Sequence, residues 1–260
     1  AQALGLIASA FYDYPSSKMK LVGVTGTNGK TTTATLLYNM VRNMGFKAGL
    51  ISTIVYKVDD RTLPASHTTP DQLQLNSMMN EMVEAGCTYC FMEVSSHAID
   101  QKRIAGLDFD GAIFSNITHD HLDYHKTFDA YIRVKKQFFD GLKPDAFAIT
   151  NIDDKNGNVM LQNTKARKIS YSLRSMADHH CKIVESHFDG TLLIIDGVEV
   201  WTHFVGKFNA YNLMAVYAAA LSLQFEREEV LNQLSLLFPV DGRFEVICSQ
   251  NGTYAIEIGR

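Results

Sequence analysis

Residues 21–32 read LVGVTGTNGKTT, an apolar run that leads through a glycine-rich stretch to a lysine and two threonines. Residues 31–44 then place apolar side chains three and four positions apart, which predicts a helix. A strand that turns through glycines into a helix directs backbone N–H groups and the positive end of the helix at one point, where they can bind phosphate. The segment therefore predicts a phosphate-binding loop in an α/β fold.

The loop carries the side chains that nucleotide binding needs. Lys30 can neutralise the β- and γ-phosphates, and the hydroxyl of Thr31 can ligate Mg²⁺. The general pattern GxxxxGK[ST] has glycine at the position of Val24, so the match departs at one residue. An ordinary strand-to-helix turn is the alternative, but the order of strand, loop, lysine, threonine and helix favours phosphate binding.

The first half of the chain alternates strands with helices. This order predicts an α/β fold with a mostly parallel sheet and helices on both faces, similar to P-loop NTPases. Further along, Asp196-Gly197 between two apolar runs predicts a β-hairpin, a small antiparallel β insert. The predicted strands are 21–25, 48–52, 89–94, 111–116, 146–151, 192–195, 198–204, 244–248 and 253–256, and the predicted helices are 31–44, 70–85, 128–139, 206–223 and 227–237.

Composition and charge exclude several classes of protein. The formal net charge is −4, so a broad basic surface for nucleic acid or an anionic membrane is not expected. No apolar run of about 18 residues occurs, and we expect a cytoplasmic monomer without membrane insertion. Four cysteines are too few for a disulfide scaffold. The Cys87–Cys90 pair could bind zinc or act in redox chemistry, but we interpret both as small buried residues.

Acidic and histidine side chains follow two of the predicted strands. Glu93 ends a central strand, where ligands of parallel sheets bind, and could share Mg²⁺ with Thr31; capping the following turn is its alternative role. Residues 116–125 read NITHDHLDYH, with three histidines and two aspartates in seven residues. A zinc site lacks a thiolate partner there, so a second divalent ion near the phosphates fits better. Lys135, ten residues on, is by default expected on a solvated helix face.

Together these segments resemble the Mur ligase family, ATP-dependent amide-forming enzymes of peptidoglycan synthesis. The EVSSH and DHLDYH segments are most similar to the branch that adds the third residue, usually meso-diaminopimelate or L-lysine, to the UDP-N-acetylmuramoyl dipeptide. The matching segments are GVTGTNGKTTT (23–33), HTTP (67–70), EVSSHAIDQKR (93–103), NITHDHLDYH (116–125), AYIRVKK (130–136), TNIDD (150–154), GKFNAYNLMAV (206–216) and DGRFE (241–245).

The resemblance implies a role for particular residues. The triphosphate of ATP would be held by Gly26, Thr27, Asn28, Gly29, Lys30, Thr31 and Thr32. One Mg²⁺ would be held by Thr31 and Glu93, and a second by His121 and a carbamylated Lys135, for which Lys136 is the immediate competitor. The adenine side would meet Asn209 and Asn212, and the nucleotide Arg243. The UDP-muramoyl dipeptide would meet Thr68, Thr69, Ser95, Gln101 and Arg103.

The resemblance covers residues 1–256 and matches only the central ATP-binding domain of three-domain enzymes, leaving residues 257–260 unmatched. It implies that the UDP-binding and amino-acid-binding domains lie outside this chain and that the isolated chain is inactive. The implied partners are ATP, the UDP-muramoyl dipeptide and an amino acid. A ligase resembling folylpolyglutamate synthase is the alternative enzyme. Two further alternatives are not enzymes: a nucleotide-binding module without ligase activity, and a plain structural domain.

Overall fold

The computed structural model describes residues 1–118, 122–240, 245–248 and 254–257. The helices are α1 (Gln2–Phe11), α2 (Lys30–Asn43), α3 (Gln72–Glu84), α4 (Ser96–Asp100), α5 (Leu122–His125), α6 (Phe128–Asp140), α7 (Gly157–Met160), α8 (Lys207–Ser222) and α9 (Arg227–Leu236), with a 3-10 turn at Pro15–Lys18. The strands are β1 (Lys20–Thr25), β2 (Ala48–Ile51), β3 (Val55–Val58), β4 (Arg61–Pro64), β5 (Tyr89–Glu93), β6 (Gly111–Phe114), β7 (Phe147–Asn151), β8 (Arg167–Ser172), β9 (His179–Ser186), β10 (Thr191–Ile195), β11 (Val198–Thr202), β12 (Glu245–Cys248) and β13 (Tyr254–Glu257).

One sheet organises the molecule, in the order β11-β10-β9-β8-β7-β6-β1-β5-β2-β3-β4. Every pairing from β9 through to β2 is parallel, and the two outer pairings at each edge are antiparallel. The mostly parallel sheet is therefore confirmed. Because β1 lies between β6 and β5, the phosphate loop that follows it lies near the middle of the sheet's carboxyl edge.

Helices cover both faces of the sheet, because alternate side chains of each strand point to opposite faces. On β1, Val22 and Val24 pack into one core with side chains of α2, α8 and α9, whereas Leu21 packs into the other. That second core receives Phe138 and Phe139 of α6, whose burial contributes roughly 1.5–3 kcal/mol each. The site at the sheet edge is thus held from both sides.

The predicted hairpin is confirmed as β10 and β11. Asp196 and Gly197 both have positive φ, 46° and 87°, as the favoured two-residue turn requires. The hairpin also extends the main sheet, because β10 pairs with β9. At the opposite edge β3 and β4 form a second antiparallel extension that periodicity did not indicate.

The cysteines of the CxxC pair are buried, as predicted. Cys87 is 4% exposed and Cys90 is fully covered. Burial raises the pKa of both thiols, which keeps them protonated and unreactive at neutral pH. Within the described residues, none of the helices combines the length and apolar character needed to span a bilayer.

Candidate functional site

A cavity of about 1120 Å³ lies at the carboxyl edge of the sheet. Its volume is slightly larger than the upper end of the range typical of sites for one small ligand, about 1,000 Å³. The predicted residues that line it are Gly26, Thr27, Asn28, Gly29, Lys30, Thr31, Thr32, Thr68, Thr69, Glu93, Ser95, Arg103, Lys135, Asn209 and Asn212. Gln101 is not part of its lining, and His121 and Arg243 lie outside the described residues.

The phosphate loop depends on two glycines with positive φ. Gly26 has φ of 152° and Gly29 has φ of 86°, and side chains rarely adopt either conformation. A Cβ at Gly26 would lie 2.0 Å from Ser115 Oγ, and one at Gly29 would lie 2.4 Å from Asn212 Oδ1. Glycine therefore lets the loop pass close to β6 and α8 while its backbone faces the cavity.

The segment after β6 fixes the loop. Asn116 accepts hydrogen bonds from the N–H of Thr27, through its carbonyl at 2.8 Å, and from the N–H of Asn28, through Oδ1 at 3.0 Å. The Ser115 hydroxyl donates to the Asn28 carbonyl at 2.6 Å. Since Thr27 and Asn28 use their N–H groups in this way, the N–H groups of the first turn of α2 remain for a phosphate.

Lys30 lies across the loop that precedes it. Its amine donates to the carbonyls of Gly26, at 3.0 Å, and Thr27, at 2.8 Å. The positive charge is thereby held beside the start of α2, where the helix dipole also favours an anion. Lys30 and the helix end together favour an anion at this part of the loop.

Thr31 and Glu93 meet, as the sequence predicted. β1 and β5 are neighbours, with Val24 beside Glu93 in the parallel register, so the ends of both strands reach the same point. The Thr31 hydroxyl donates to Glu93 Oε1 at 2.8 Å, and the N–H of Thr53 donates to the same oxygen at 2.7 Å. Glu93 does not cap the following turn; the Ser95 hydroxyl does, by accepting from the N–H of Ala98 at 3.1 Å.

The default expectation for Lys135 is wrong, because the side chain is 1% exposed rather than solvated. Its amine donates to the Gly26 carbonyl at 2.9 Å and lies 4.6 Å from the centre of the Tyr131 ring. The Tyr131 hydroxyl lies 3.2 Å from Thr27 Oγ1. Lys136 instead pairs with Asp140 at 2.6 Å, outside the cavity lining. Lys135 is therefore the lysine of α6 that borders the phosphate loop.

A second wall of the cavity carries the residues predicted to meet the muramoyl substrate. Thr69 donates to the Glu93 carbonyl at 2.8 Å and so links this wall to β5. Arg103 donates through Nη1 to the Thr69 carbonyl at 2.8 Å, and through Nε to Gln101 Oε1 at 2.9 Å. Gln101 thus contacts the guanidinium of Arg103 from outside the cavity, and a guanidinium held in this way can pair with a carboxylate or phosphate.

The start of α8 forms the wall beside the loop. Asn209 and Asn212 are 3% and 6% exposed, so their amides are nearly covered by protein. Asn209 donates to the Val205 carbonyl at 2.9 Å, and Asn212 donates to Asn209 Oδ1 at 3.4 Å. Both line the cavity, where amides can pair with the edge of a base or with ribose.

The loop after β7 also lines the cavity, although the sequence predicts no role for it beyond its match to a family segment. Asp153 accepts hydrogen bonds from the Ser172 hydroxyl at 2.7 Å, the Leu173 N–H at 2.8 Å and the Tyr211 hydroxyl at 2.8 Å. Burial by itself would raise the pKa of Asp153, but these hydrogen bonds lower it overall. The carboxylate therefore stays ionised and ties β7, β8 and α8 together at this end.

Part of the predicted histidine-rich segment lies beside the cavity. The His125 ring is 7% exposed and lies 2.9 Å through Nε2 from the Ser96 hydroxyl, and its centre is 5.1 Å from that of Tyr131. His97 borders the cavity and lies 4.2 Å, centre to centre, from Tyr124. His119, Asp120 and His121 lie outside the described residues.

Other residues line the cavity without having been predicted from the sequence. They are Thr53, His67, Ser96, Asn116, Tyr131, Asn151, Asp154, Arg174, Phe208 and Tyr211.

The chain is similar to known proteins in sequence and in fold. Residues 24–220 match the family model described as the Mur ligase middle domain. The UDP-N-acetylmuramoyl-L-alanyl-D-glutamate–2,6-diaminopimelate ligases of Parabacteroides distasonis and Cytophaga hutchinsonii are 63% and 59% identical to the chain, over 98% and 94% of its length. A solved structure of a ligase with that name superposes with a TM-score of 0.84 at 27% identity, over 96% of this chain and 53% of the other.

The chain spans about half the length of the curated relatives it matches. The aligned region is 53% of the Parabacteroides distasonis protein and 50% of the Cytophaga hutchinsonii protein. The comparisons therefore concern the part of those ligases that corresponds to this sheet and its cavity.

Proposed function

The chain belongs to the Mur ligase family, and we propose that it is the ATP-binding part of a ligase that extends the peptide of a UDP-muramoyl precursor. The proposed reaction adds 2,6-diaminopimelate to UDP-N-acetylmuramoyl-L-alanyl-D-glutamate, because the similar ligases carry that name. One observation supports it above others: the phosphate loop, the Thr31–Glu93 pair and the Thr69–Arg103 wall border one cavity.

The cavity fits a nucleoside triphosphate with Mg²⁺. Gly26 and Gly29 let the loop pack against Ser115 and Asn212, where a Cβ would collide, and Lys30 supplies positive charge beside the start of α2. The Thr31 hydroxyl and Glu93 carboxylate are oxygen donors of the kind Mg²⁺ binds, and they are already in contact at 2.8 Å. Bound there, Mg²⁺ would neutralise phosphate charge.

The proposed chemistry has two steps. The glutamyl carboxylate oxygen attacks the γ-phosphorus of ATP, the bond to the β-phosphate oxygen breaks, and an acyl phosphate and ADP form. The amine of the incoming amino acid then attacks the acyl carbon, inorganic phosphate leaves with the carbon–oxygen electron pair, and the nitrogen loses a proton. Lys30 stabilises the charge that develops on the phosphates, while Arg103 and Thr69 hold the carboxylate in line.

The first test of this function is product formation. With a ligase of the family's full length that contains this chain, we expect continued ADP release over many turnovers to require the UDP-muramoyl dipeptide and the amino acid together, and mass spectrometry to detect the tripeptide product. The 260-residue chain alone should bind MgADP in isothermal titration calorimetry without forming amide. ADP release that depends on a folate instead would support the folylpolyglutamate synthase alternative. Absence of nucleotide binding would leave only a structural domain.

Lys135 is proposed to carry a carbamate. Its amine would attack CO₂ and release a proton, and the product has two oxygens and a negative charge, which suits Mg²⁺. The support is its placement: Lys135 is covered, lines the cavity and contacts the phosphate loop at Gly26. His121 is proposed as a further ligand of the same ion.

Labelled CO₂ tests this modification. After equilibration with ¹³C-bicarbonate, we expect one carbamate carbon signal in the NMR spectrum of the chain, which disappears in Lys135→Arg. Lys136→Arg is the matched control and should retain the signal, because Lys136 pairs with Asp140 instead of lining the cavity. A signal that persists in Lys135→Arg and is lost in Lys136→Arg would contradict the proposal, because it would show that Lys136 carries the carbamate.

A further inference from the structure

The cavity extends well beyond the phosphate loop, along the carboxyl edge of the sheet. β8 is the third strand from β1, after β6 and β7, and neighbouring strands lie about 4.8 Å apart, so the loop after β8 is about 14 Å from the phosphate loop. The far end is lined by Asn151, Asp153, Arg174, Phe208 and Tyr211. A nucleotide with its phosphates at the start of α2 therefore has its nucleoside at this end, a placement that rests on the proposed function.

Arg174 is the guanidinium at this end. It lies two residues beyond the end of β8, where its N–H donates to the Ser172 hydroxyl at 2.9 Å. Ser172 in turn donates to Asp153, so the backbone beside Arg174 is anchored to the loop after β7. Among the described residues, nothing forms a hydrogen bond or ion pair with the Arg174 guanidinium, although the residue lines the cavity.

Arg174 lies near Tyr211, another residue that lines the cavity. Burial, then the hydrogen bond to Asp153, raises the pKa of Tyr211 to about 12, and the positive charge of Arg174 opposes that rise. Tyr211 lies in α8 and also borders the cavity. The Arg174 guanidinium is thus close enough to Tyr211 to influence the pKa of its hydroxyl. Among the residues described, the N–H groups of this guanidinium have no protein partner.

We propose that Arg174 is a nucleoside-binding residue whose planar guanidinium stacks on the purine ring of the bound nucleotide. A guanidinium stacks on aromatic faces and is weakly hydrated, so it can cover a base at a partly exposed site. Asp153 accepts three hydrogen bonds from protein groups and Asn209 donates to the Val205 carbonyl, so both side chains are already held by the protein and neither is placed to cover the face of a base. Phe208, 40% exposed at the same end, offers an apolar contact for the ring.

Calorimetry with two ligands tests the proposal. With the 260-residue chain, we expect Arg174→Ala to weaken MgADP binding roughly five- to tenfold and to leave binding of magnesium tripolyphosphate within about twofold. Arg174→Lys keeps the charge but loses the plane, so it should resemble Arg174→Ala. Lys30→Ala should weaken both ligands. Arg167→Ala is the matched control: Arg167 begins the same strand at its opposite end and should alter neither.

The outcomes separate this inference from the proposed function. Equal losses for MgADP and tripolyphosphate in Arg174→Ala, or full affinity in Arg174→Lys, would show that charge rather than stacking is responsible and would overturn the proposal. Unchanged MgADP binding in Arg174→Ala, with binding still lost in Lys30→Ala, would overturn it while leaving the proposed function intact. A wild-type chain that binds neither ligand would refute both. Circular dichroism of each variant verifies that the fold is retained.

Discussion

Replacing Lys30 with Ala is expected to weaken MgADP binding to the chain roughly 100-fold, because hydrogen bonds to charged groups contribute about 1.5–3 kcal/mol and Lys30 is placed to make them with phosphate. In the resting loop its amine already lies 2.8 Å from the Thr27 carbonyl, beside the first turn of α2. The same variant of a full-length ligase should form no measurable ADP. Calorimetry measures the first effect and a coupled ADP assay the second.

The matched control removes a lysine charge elsewhere. Lys168 lies on β8, is exposed and does not line the cavity, so Lys168→Ala should bind MgADP like the wild-type chain. Comparing the two variants separates loss of a specific phosphate contact from a general change in net charge. Undiminished turnover or binding in Lys30→Ala would mean that the loop is an ordinary strand-to-helix turn.

Apolar periodicity was sufficient to predict the central elements of the fold. The helix predicted at 128–139 is observed at Phe128–Asp140, and the strand predicted at 21–25 is observed at Lys20–Thr25. These elements bury regular faces, so their residues carry the pattern. β3 and β4 have four residues each, and the burial of β4 does not alternate between buried and exposed residues. Their structure depends on pairing of β3 with β2 and of β4 with β3, and the local sequence does not indicate such pairing.

Much of the site could also be predicted, because residues at the carboxyl ends of parallel strands converge. That rule brought Thr31 and Glu93 together from 62 positions apart. The rule does not predict Thr53 or Arg174. Both line the cavity from loops, and the course of these loops is known only from the folded structure. Asp153 lies within a matched family motif, but the motif does not reveal its hydrogen-bond donors. These are Ser172 of β8, Leu173 directly after that strand, and Tyr211 of α8.

The burial of Lys135 could be predicted from its spacing on α6. It lies four residues after Tyr131 and three before Phe138, both of which are buried on α6. Residues spaced by three and four share a helix face, so Lys135 had to lie on the apolar face. A lysine on such a face is costly to bury unless it is paired, which is itself a signal of function.

The Glu93→Gln variant is expected to raise the Mg²⁺ concentration needed for tight ADP binding by roughly 100-fold or more, since altering even an outer partner of a metal site costs about 10–100-fold. The carboxylate is 1% exposed and contacts Thr31, the other proposed ligand. Affinity for ADP without Mg²⁺ should stay the same. Titrating Mg²⁺ at fixed ADP, with calorimetry at each concentration, measures the change.

This variant can isolate the charge, because the hydrogen bonds around Glu93 tolerate an amide. Oε1 accepts from the Thr31 hydroxyl and the Thr53 N–H, so the amide oxygen can take its place. Oε2 is met only by the Thr53 hydroxyl at 3.2 Å, among the bonds described, and a hydroxyl can turn to accept from the new NH₂ group. Stability should therefore change little, and exposed Glu229→Gln serves as the matched control. If Glu93→Gln responded to Mg²⁺ as the wild-type chain does, Glu93 would be a structural partner of Thr31 and Thr53 and the metal would have to be held elsewhere.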